Sequence, residues 1–310
     1  MSKIILKNIV PAKLAEKRLD QVLSQLFPEY SRERFKQWIK AGFVLVDGKV
    51  MRPRDKVFAN QEINIKAEVE AETASEPQSI PLDVIYSDQD IIIINKPIGL
   101  VMHPGAGCKK NTLLNALLHH YPELAEVPRA GIVHRLDKDT SGLIVVARNL
   151  TTQTALIKAM QKREIKREYV TIVAGTLTAG GKISAPIGRH KTKRTLMAVT
   201  ETGKTAVTHY RVLERFLTHT YLKVMLETGR THQIRVHLAH LHHPIVGDQV
   251  YGKNKLLKNI SQELAQFKHQ ALHAYRLSFA HPSTHKDLEF SAPMPQDMQN
   301  LLKILRESSP

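Results

Sequence analysis

Gly131-Ile132-Val133-His134-Arg135-Leu136-Asp137-Lys138-Asp139-Thr140-Ser141-Gly142-Leu143-Ile144-Val145-Val146-Ala147 sets carboxylates and bases in a turn that feeds an apolar run. Leu143 to Ala147 is short and uninterrupted by polar side chains, which is the pattern of a buried strand. The polar residues ahead of it therefore sit on a loop carried by a rigid element, where reactive groups are usually displayed. Asp137, beside Arg135 and ahead of the Thr140-Ser141-Gly142 turn, can stay ionised while partly buried, provided a cation reaches it. Taken singly, Asp137, Asp139 and Thr140 are also ordinary turn formers, because Asp and Gly punctuate the chain before strands.

Bulk properties set the frame around this stretch. The chain has 310 residues, 42% of them hydrophobic, which is long for one domain, comfortable for two and enough for a sizeable core. A single cysteine, Cys108, leaves no intramolecular disulfide to form. The start, Met1-Ser2-Lys3-Ile4-Ile5-Leu6-Lys7, lacks the apolar segment of a signal peptide. No run approaches the ~18 apolar residues of a membrane span, so a cytoplasmic protein is expected. A formal charge of +16 draws polyanions, with nucleic acid the commonest partner. A membrane surface would need a basic amphipathic helix with a bulky aromatic face, and none stands out. No long spare apolar surface helix stands out either, so a monomer is expected.

Upstream, Arg18-Leu19-Asp20 opens an amphipathic stretch with Leu19, Val22, Leu23 and Leu26 on one helical face, ended by Pro28. Ser31 is placed to cap a second helix that turns Phe35, Trp38 and Ile39 inward, with Gly42 closing it. Arg32, Lys36 and Lys40 recur every fourth residue and line one side, which alone is the pattern of a solvated face. Val44 to Val50 then forms a hairpin around Asp47-Gly48, followed by Arg52, Arg54 and Lys56. Residues 1–66 hold fourteen Lys and Arg against seven Asp and Glu, an excess of seven that suits phosphate contacts rather than base reading. Lys66 to Pro81 is rich in Glu, Ala and Ser and lacks aromatics, so it reads as a linker; alternatively Ile63 to Val69 completes the small domain as a strand.

Beyond the linker, Asp83 to Tyr86 and Ile91 to Pro97 are two strand-like runs joined tightly. Gly105-Ala106-Gly107 with Lys109, Lys110 and Thr112 lacks the Gly-x4-Gly-Lys-Ser/Thr spacing of a phosphate loop. Thr151 to Arg163 has helical periodicity. Lys166 to Ala174 alternates as a strand, and Gly180-Gly181 is expected to turn it back as a hairpin. Arg189, His190, Lys191, Lys193 and Arg194 crowd six positions, either a solvated loop or a backbone clamp. Tyr221 to Glu227 alternates, Ile234, Leu238 and Leu241 share a helical face, Ala271 to Phe279 alternates, and Pro293 and Pro295 introduce a terminal helix. At least seven strand candidates against three clear helices, without strand-helix alternation, predict a mixed, mostly antiparallel α+β sheet. His232, His237, His240, His242 and His243 invite a metal reading, but no Cys or spaced Glu completes a ligand set, so no metal is expected.

The run His134-Arg135-Leu136-Asp137-x-Asp139-Thr140-Ser141-Gly142-Leu143 resembles the signature of the RluA-type pseudouridine synthases. Arg167-Glu168-Tyr169-Val170 and Gly229-Arg230-Thr231-His232-Gln233-Ile234-Arg235-Val236-His237 resemble that family's other motifs, in the family's order. Gln270-Ala271-Leu272-His273-Ala274 and Ala292-Pro293-x-Pro295-x-Asp297-Met298 extend the likeness, and residues 1–66 resemble the S4 RNA-binding domain. The resemblance implies an S4-like α/β domain at 1–70, a linker at 71–81 and a catalytic domain of the pseudouridine synthase type at 82–310. It also implies Asp137 as the essential catalytic carboxylate, Tyr169 lying against the target uracil and Arg235 paired with Asp137. Arg135 matches the position that wedges into the RNA where the uridine leaves, and Asp139, whose residue type varies in related motifs, is structural. The implied RNA contacts are Arg18, Arg32, Lys36, Lys40, Arg189, Lys193, Arg194 and Arg230.

Within the family, Arg189-His190-x-Thr192-Lys193-Arg194-Thr195 and Ala206-Val207-Thr208-His209-Tyr210 resemble members that modify the helix 69 stem-loop of large-subunit (23S) rRNA. That rRNA, within the large subunit or its precursor, is the expected partner. Sister members with other target uridines, and a non-catalytic rRNA-binding assembly factor, share much of the charge and remain alternatives. Isomerising uridine to pseudouridine breaks the N1 to C1′ bond, turns the base and rejoins it through C5. Atoms and redox state balance between substrate and product, so no cofactor is required. A carboxylate can attack C1′, take a proton to allow a glycal, or attack the ring.

Overall fold

The computed structural model describes residues 3–68, 75–105, 108–193, 195–252 and 267–308. The N-terminal unit runs β1 (Lys3–Ile9), α1 (Leu19–Leu26), α2 (Arg32–Lys40), β2 (Val44–Val46), β3 (Lys49–Val50) and β4 (Glu62–Glu68). Its sheet is antiparallel in the order β1-β4-β2-β3. The helices lay Leu19, Val22, Leu23, Phe35, Trp38 and Ile39 on Val44, Val46, Ile63 and Ile65, giving this unit a core of its own. The Ser31 hydroxyl accepts the Arg34 N–H at 3.2 Å, and Gly42, at φ 78°, ends α2 as its sequence position predicts. Asp47 and Gly48 both have positive φ, the backbone a tight hairpin needs. β4 takes up the strand alternative for Ile63 to Val69 as far as Glu68; Val69 lies outside the described residues. Of the expected linker, 71–74 lies outside the described residues. Residues 75–81 are held against the next domain: Asn115 donates to the Glu76 carbonyl at 2.7 Å and accepts from the Gln78 N–H at 3.0 Å.

The second unit contains β5 (Val84–Ser87), β6 (Ile91–Lys96), α3 (Leu113–His120), β7 (Ser141–Ala147), α4 (Leu150–Lys162), β8 (Lys166–Ala174) and β9 (Gly181–Ser184). It continues with β10 (Ile187–Arg189), β11 (Met197–Val199), β12 (Val207–Arg215), β13 (His219–Leu226), α5 (Gln233–His240), β14 (Leu272–Ala280), β15 (Asp287–Ser291) and α6 (Gln296–Glu307). Nine strands form one sheet in the order β5-β6-β7-β14-β8-β13-β12-β9, with β15 on β14, and only β7 and β14 pair in parallel. The mixed, mostly antiparallel α+β expectation therefore holds. The apolar runs in β6 and β7 are unbroken because both sheet faces are covered. Ile92, Ile94, Ile144 and Val146 pack with α3, while Ile91, Ile93, Leu143 and Val145 pack with Leu156 of α4.

Two sequence expectations change. Gly180-Gly181 does not fold β9 back onto β8; β9 pairs with β12, while β8 lies between β13 and β14. A glycine pair signals a turn but not which strand the chain then meets, and that choice is made by non-local pairing. β8 also lacks a solvent face along most of its length, with Tyr169 to Ala174 buried throughout. Where β7 meets β14, Gly142 has φ 111° and an added Cβ would lie 2.3 Å from the Ala274 carbonyl oxygen. Only glycine allows this approach, which brings the Asp137 turn to the centre of the sheet.

Candidate active site

Asp137 sits on the turn just before β7, and that turn is tied from several sides. The Thr140 N–H donates to the Asp137 carbonyl at 3.1 Å, and the Thr140 hydroxyl accepts from Gln270 at 3.1 Å. The Lys138 carbonyl accepts from the Gly99 N–H at 2.9 Å and from Lys96 Nζ at 3.0 Å. Lys96 is fully buried and also donates to the carbonyls of Pro97 and Leu100. Burial pulls its pKa down to about 8, against the opposing pull of Asp139 and Asp137. The sequence pattern marks Lys96 only as the end of a strand, two residues beyond the run Ile91 to Ile94.

Arg235 comes from the first turn of α5, and Gln233 fixes that turn. The Gln233 carbonyl oxygen accepts from Thr228 and the Arg230 N–H, while its amide donates to the Val207 carbonyl and the Thr208 hydroxyl. Arg235 Nη1 donates to Asp137 Oδ2 at 3.0 Å, joining residues 98 positions apart. Its Nε and Nη2 form a two-pronged pair with Asp248 at 2.7 and 2.9 Å. The Asp137 side chain is 15% exposed, that of Arg235 6% and that of Asp248 0%. Burial alone would lower the Arg235 pKa; the two carboxylates overcome it and raise it, so the guanidinium stays charged. Burial likewise works to raise Asp248, but Arg235 and the Val250 and Tyr251 N–H groups hold it below the usual carboxylate value. Asp248 was missed from sequence, where it resembles a turn former after Gly247.

Asp137 and Arg235 border a cleft of about 1030 Å³ that is also lined by Tyr169, Arg135, Arg167 and Arg230. Tyr169 and Arg167 lie two apart on β8 and so share a face. Burial raises the Tyr169 pKa and keeps the phenol neutral. The Arg167 Nε is buried and has no hydrogen-bond partner, and its Nη1 lies 2.8 Å from where a Cβ on Gly229 would stand. His134 is half-buried beside this group; its Nε2 accepts the Val145 N–H at 3.1 Å, and desolvation with Arg167 nearby lowers its pKa to about 3. Arg135 and Arg230 are exposed.

The other basic residues are placed unevenly. Arg189 and Lys193 are exposed on the β10–β11 hairpin, whose Ile187 packs on Val236 of α5; Arg194 lies outside the described residues. Arg18 and Arg32 both grip the buried carboxylate of Asp20, so part of the basic row on the small domain serves the fold. Lys36 pairs with Glu33 at 2.8 Å and Lys40 is exposed. His237 is a core residue bonded to Thr208 and the Ala185 carbonyl. Among the described residues no three His, Cys, Asp or Glu side chains converge to hold a metal, and no helix is long and apolar enough to cross a membrane.

A turn-borne carboxylate tethered to a buried arginine, in a cationic cleft beside an S4-type unit, defines an RNA-modifying class, and the chain belongs to the RNA pseudouridylate synthase family. The family's model matches residues 90–240, which include Asp137, Tyr169 and Arg235, and the S4 domain matches 17–63. The chain is 54% identical over 313 residues to ribosomal large subunit pseudouridine synthase D of Vibrio parahaemolyticus, covering 99% of this chain and 96% of that protein. To the Escherichia coli K12 protein of the same name it is 55% identical over 295 residues, covering 93% and 90%. Among solved structures, human RNA pseudouridylate synthase domain containing 1 shares the fold with a TM-score of 0.56 and 25% identity over 76% of this chain and 99% of that one. Human RNA pseudouridylate synthase domain containing 4 has a TM-score of 0.59 at 24% identity, covering 72% and 92%.

Proposed function

We propose that this chain isomerises uridines of 23S rRNA to pseudouridine in the helix 69 stem-loop, with Asp137 as the catalytic carboxylate and no cofactor. The 3.0 Å contact between Asp137 and Arg235 inside a cationic cleft carries this reading. The near full-length likeness to large subunit synthases named D supports the rRNA substrate. A paired or stacked uridine must first leave its stack, which costs a few kcal/mol. Stacking against Tyr169 returns ~1–3 kcal/mol, and exposed Arg135 enters the gap. Asp137, held by Arg235, then attacks C1′, takes a proton for a glycal route, or attacks the ring. Each route starts from the same carboxylate. Arg230, Arg189, Lys193 and Arg194, with Arg18, Arg32, Lys36 and Lys40 of a small domain spanning about 1–70, hold phosphates along the RNA. In this reading the chain works as a cytoplasmic monomer on the large subunit or its precursor.

Mapping pseudouridines in rRNA from cells lacking this chain, rescued with wild type or Asp137→Asn, tests the reading. Helix 69 pseudouridines lost and restored only by wild type are the expected result. Loss at other large-subunit uridines would instead identify a sister synthase, and rescue by Asp137→Asn would identify an assembly factor.

A further inference from the structure

Asp137 has two carboxylate oxygens, and Arg235 holds only Oδ2. The Oδ1 atom lies 3.8 Å from Nε2 of His232, the residue that caps the start of α5. His232 has φ 56°, a left-handed backbone that a residue with a Cβ adopts only where its surroundings enforce it. Those surroundings are specific. The His232 Nδ1 is 2.8 Å from the Tyr251 hydroxyl oxygen, and that oxygen accepts the Met197 N–H at 3.0 Å. With its oxygen accepting from Met197, Tyr251 still has its O–H to donate to Nδ1, and in that arrangement the imidazole proton sits on Nε2, toward Asp137. The Tyr251 ring also lies 5.1 Å from the Arg235 guanidinium carbon, so one side chain braces both partners of Asp137.

Met197 opens β11, the strand paired with β10, and the loop between them carries His190, Lys191 and Lys193. A run of hydrogen bonds thus leads from the basic hairpin through Tyr251 and His232 toward the carboxylate. We propose that His232 is a positioning residue for Asp137, orienting Oδ1 through its Nε2–H, with its tautomer set by Tyr251 and, through Met197, by the seating of the basic hairpin. Contacts of this kind often stand long and close only as the reacting complex forms. The hairpin's grip on RNA is thereby coupled to the alignment of the reactive oxygen. The charged and titratable groups around His232 are Asp137, Arg235, Arg135, Asp248 and Tyr251; burial keeps the imidazole below its usual pKa, hence neutral.

The inference rests on Asp137 being the catalytic carboxylate, and the experiment separates the two. Full-length wild type, His232→Ala, His232→Gln, Tyr251→Phe and Asp137→Asn are compared on a large-subunit rRNA transcript, with kcat, KM and melting temperature measured across pH 5.5–8.5. His232→Ala is expected to lower kcat roughly 10–100-fold with KM little changed, as misalignment of a reacting group does. His232→Gln, which returns an amide donor near Nε2, should recover much of that loss. Tyr251→Phe should lower kcat and move the acid limb of the rate profile to higher pH, because His232 then takes up a proton more readily. Normal kcat in the His232 and Tyr251 variants beside an inactive Asp137→Asn overturns this inference alone. So does a loss that follows melting temperature, with no recovery in His232→Gln and no movement of the profile in Tyr251→Phe. Activity retained in Asp137→Asn overturns the parent reading instead.

Discussion

Each domain holds a charged triad built around a buried group, and the two have opposite composition. In the small domain one carboxylate, Asp20, sits between two guanidiniums, Arg18 and Arg32, whose side chains are 37% and 41% exposed. In the catalytic domain one guanidinium, Arg235, sits between two carboxylates, both largely buried. The first arrangement satisfies Asp20 with four nitrogen contacts and leaves cations facing water, where phosphate can also reach them. The second anchors Arg235 on Asp248 by two bonds and gives Asp137 only one, which leaves Asp137 Oδ1 outside the pair. Which charge is doubled, and which is exposed, separates the clamp of the small domain from the proposed reactive site.

Arg235→Ala breaks the second triad outright and should have the largest effect. It leaves Asp137 and Asp248 facing each other without their cation, a loss typically ~3–5 kcal/mol when one partner of a buried pair is removed. Turnover should vanish together with much of the thermal stability. Arg235→Lys keeps the charge but cannot bridge both carboxylates with a planar fork, so it should recover stability more than activity. Normal melting and turnover in Arg235→Ala would remove the pairing as an explanation.

Asp20→Ala breaks the other triad and should cost less, roughly 1–3 kcal/mol, because Arg18 and Arg32 turn to solvent when their acceptor is lost. The sequence has one tryptophan, Trp38, buried in the small domain's core, so its fluorescence reads that domain alone. The fluorescence transition should fall while kcat on saturating rRNA stays near wild type. An equal fall in kcat would mean that Asp20 acts on the catalytic domain.

Legibility in the sequence followed the same division. Asp137, Tyr169 and Arg235 stand in contiguous motifs, and the period-two and period-3.6 patterns around them located β7, β8 and α5 correctly. Asp248 and Lys96 were not legible, because a buried counter-ion and a turn-forming aspartate look alike until the fold shows what each meets. Arg18 and the basic row at Arg32, Lys36 and Lys40 were visible as cations, but not that Asp20 binds Arg18 and Arg32. β9 went to the wrong neighbour for a related reason: local pattern identifies a strand, whereas its partner is chosen by contacts distant in sequence.

The smallest expected effect concerns acid and salt, and it discriminates between the triads. Asp20 and Asp248 both have folded pKa values below the ordinary 3.8, in each case because arginine contacts outweigh the effect of burial. A depressed folded pKa gives stability that is complete above the unfolded value and lost as pH falls through the folded one. Both domains should therefore weaken below about pH 4. The Asp20 triad is open to ions through its half-exposed arginines, whereas Asp248 and Arg235 are enclosed. Raising ionic strength from about 0.1 to 1 M, which shortens screening from ~10 to ~3 Å, should bring the folded Asp20 pKa back toward 3.8 and move the Trp38 acid transition upward. The far-UV circular dichroism transition, dominated by the larger domain, should move less. Asp20→Asn, uncharged at that position, provides the reference for salt effects from the rest of the chain. Equal movement of both transitions in wild type, unchanged by Asp20→Asn, would show that exposure of the partners does not distinguish the two triads.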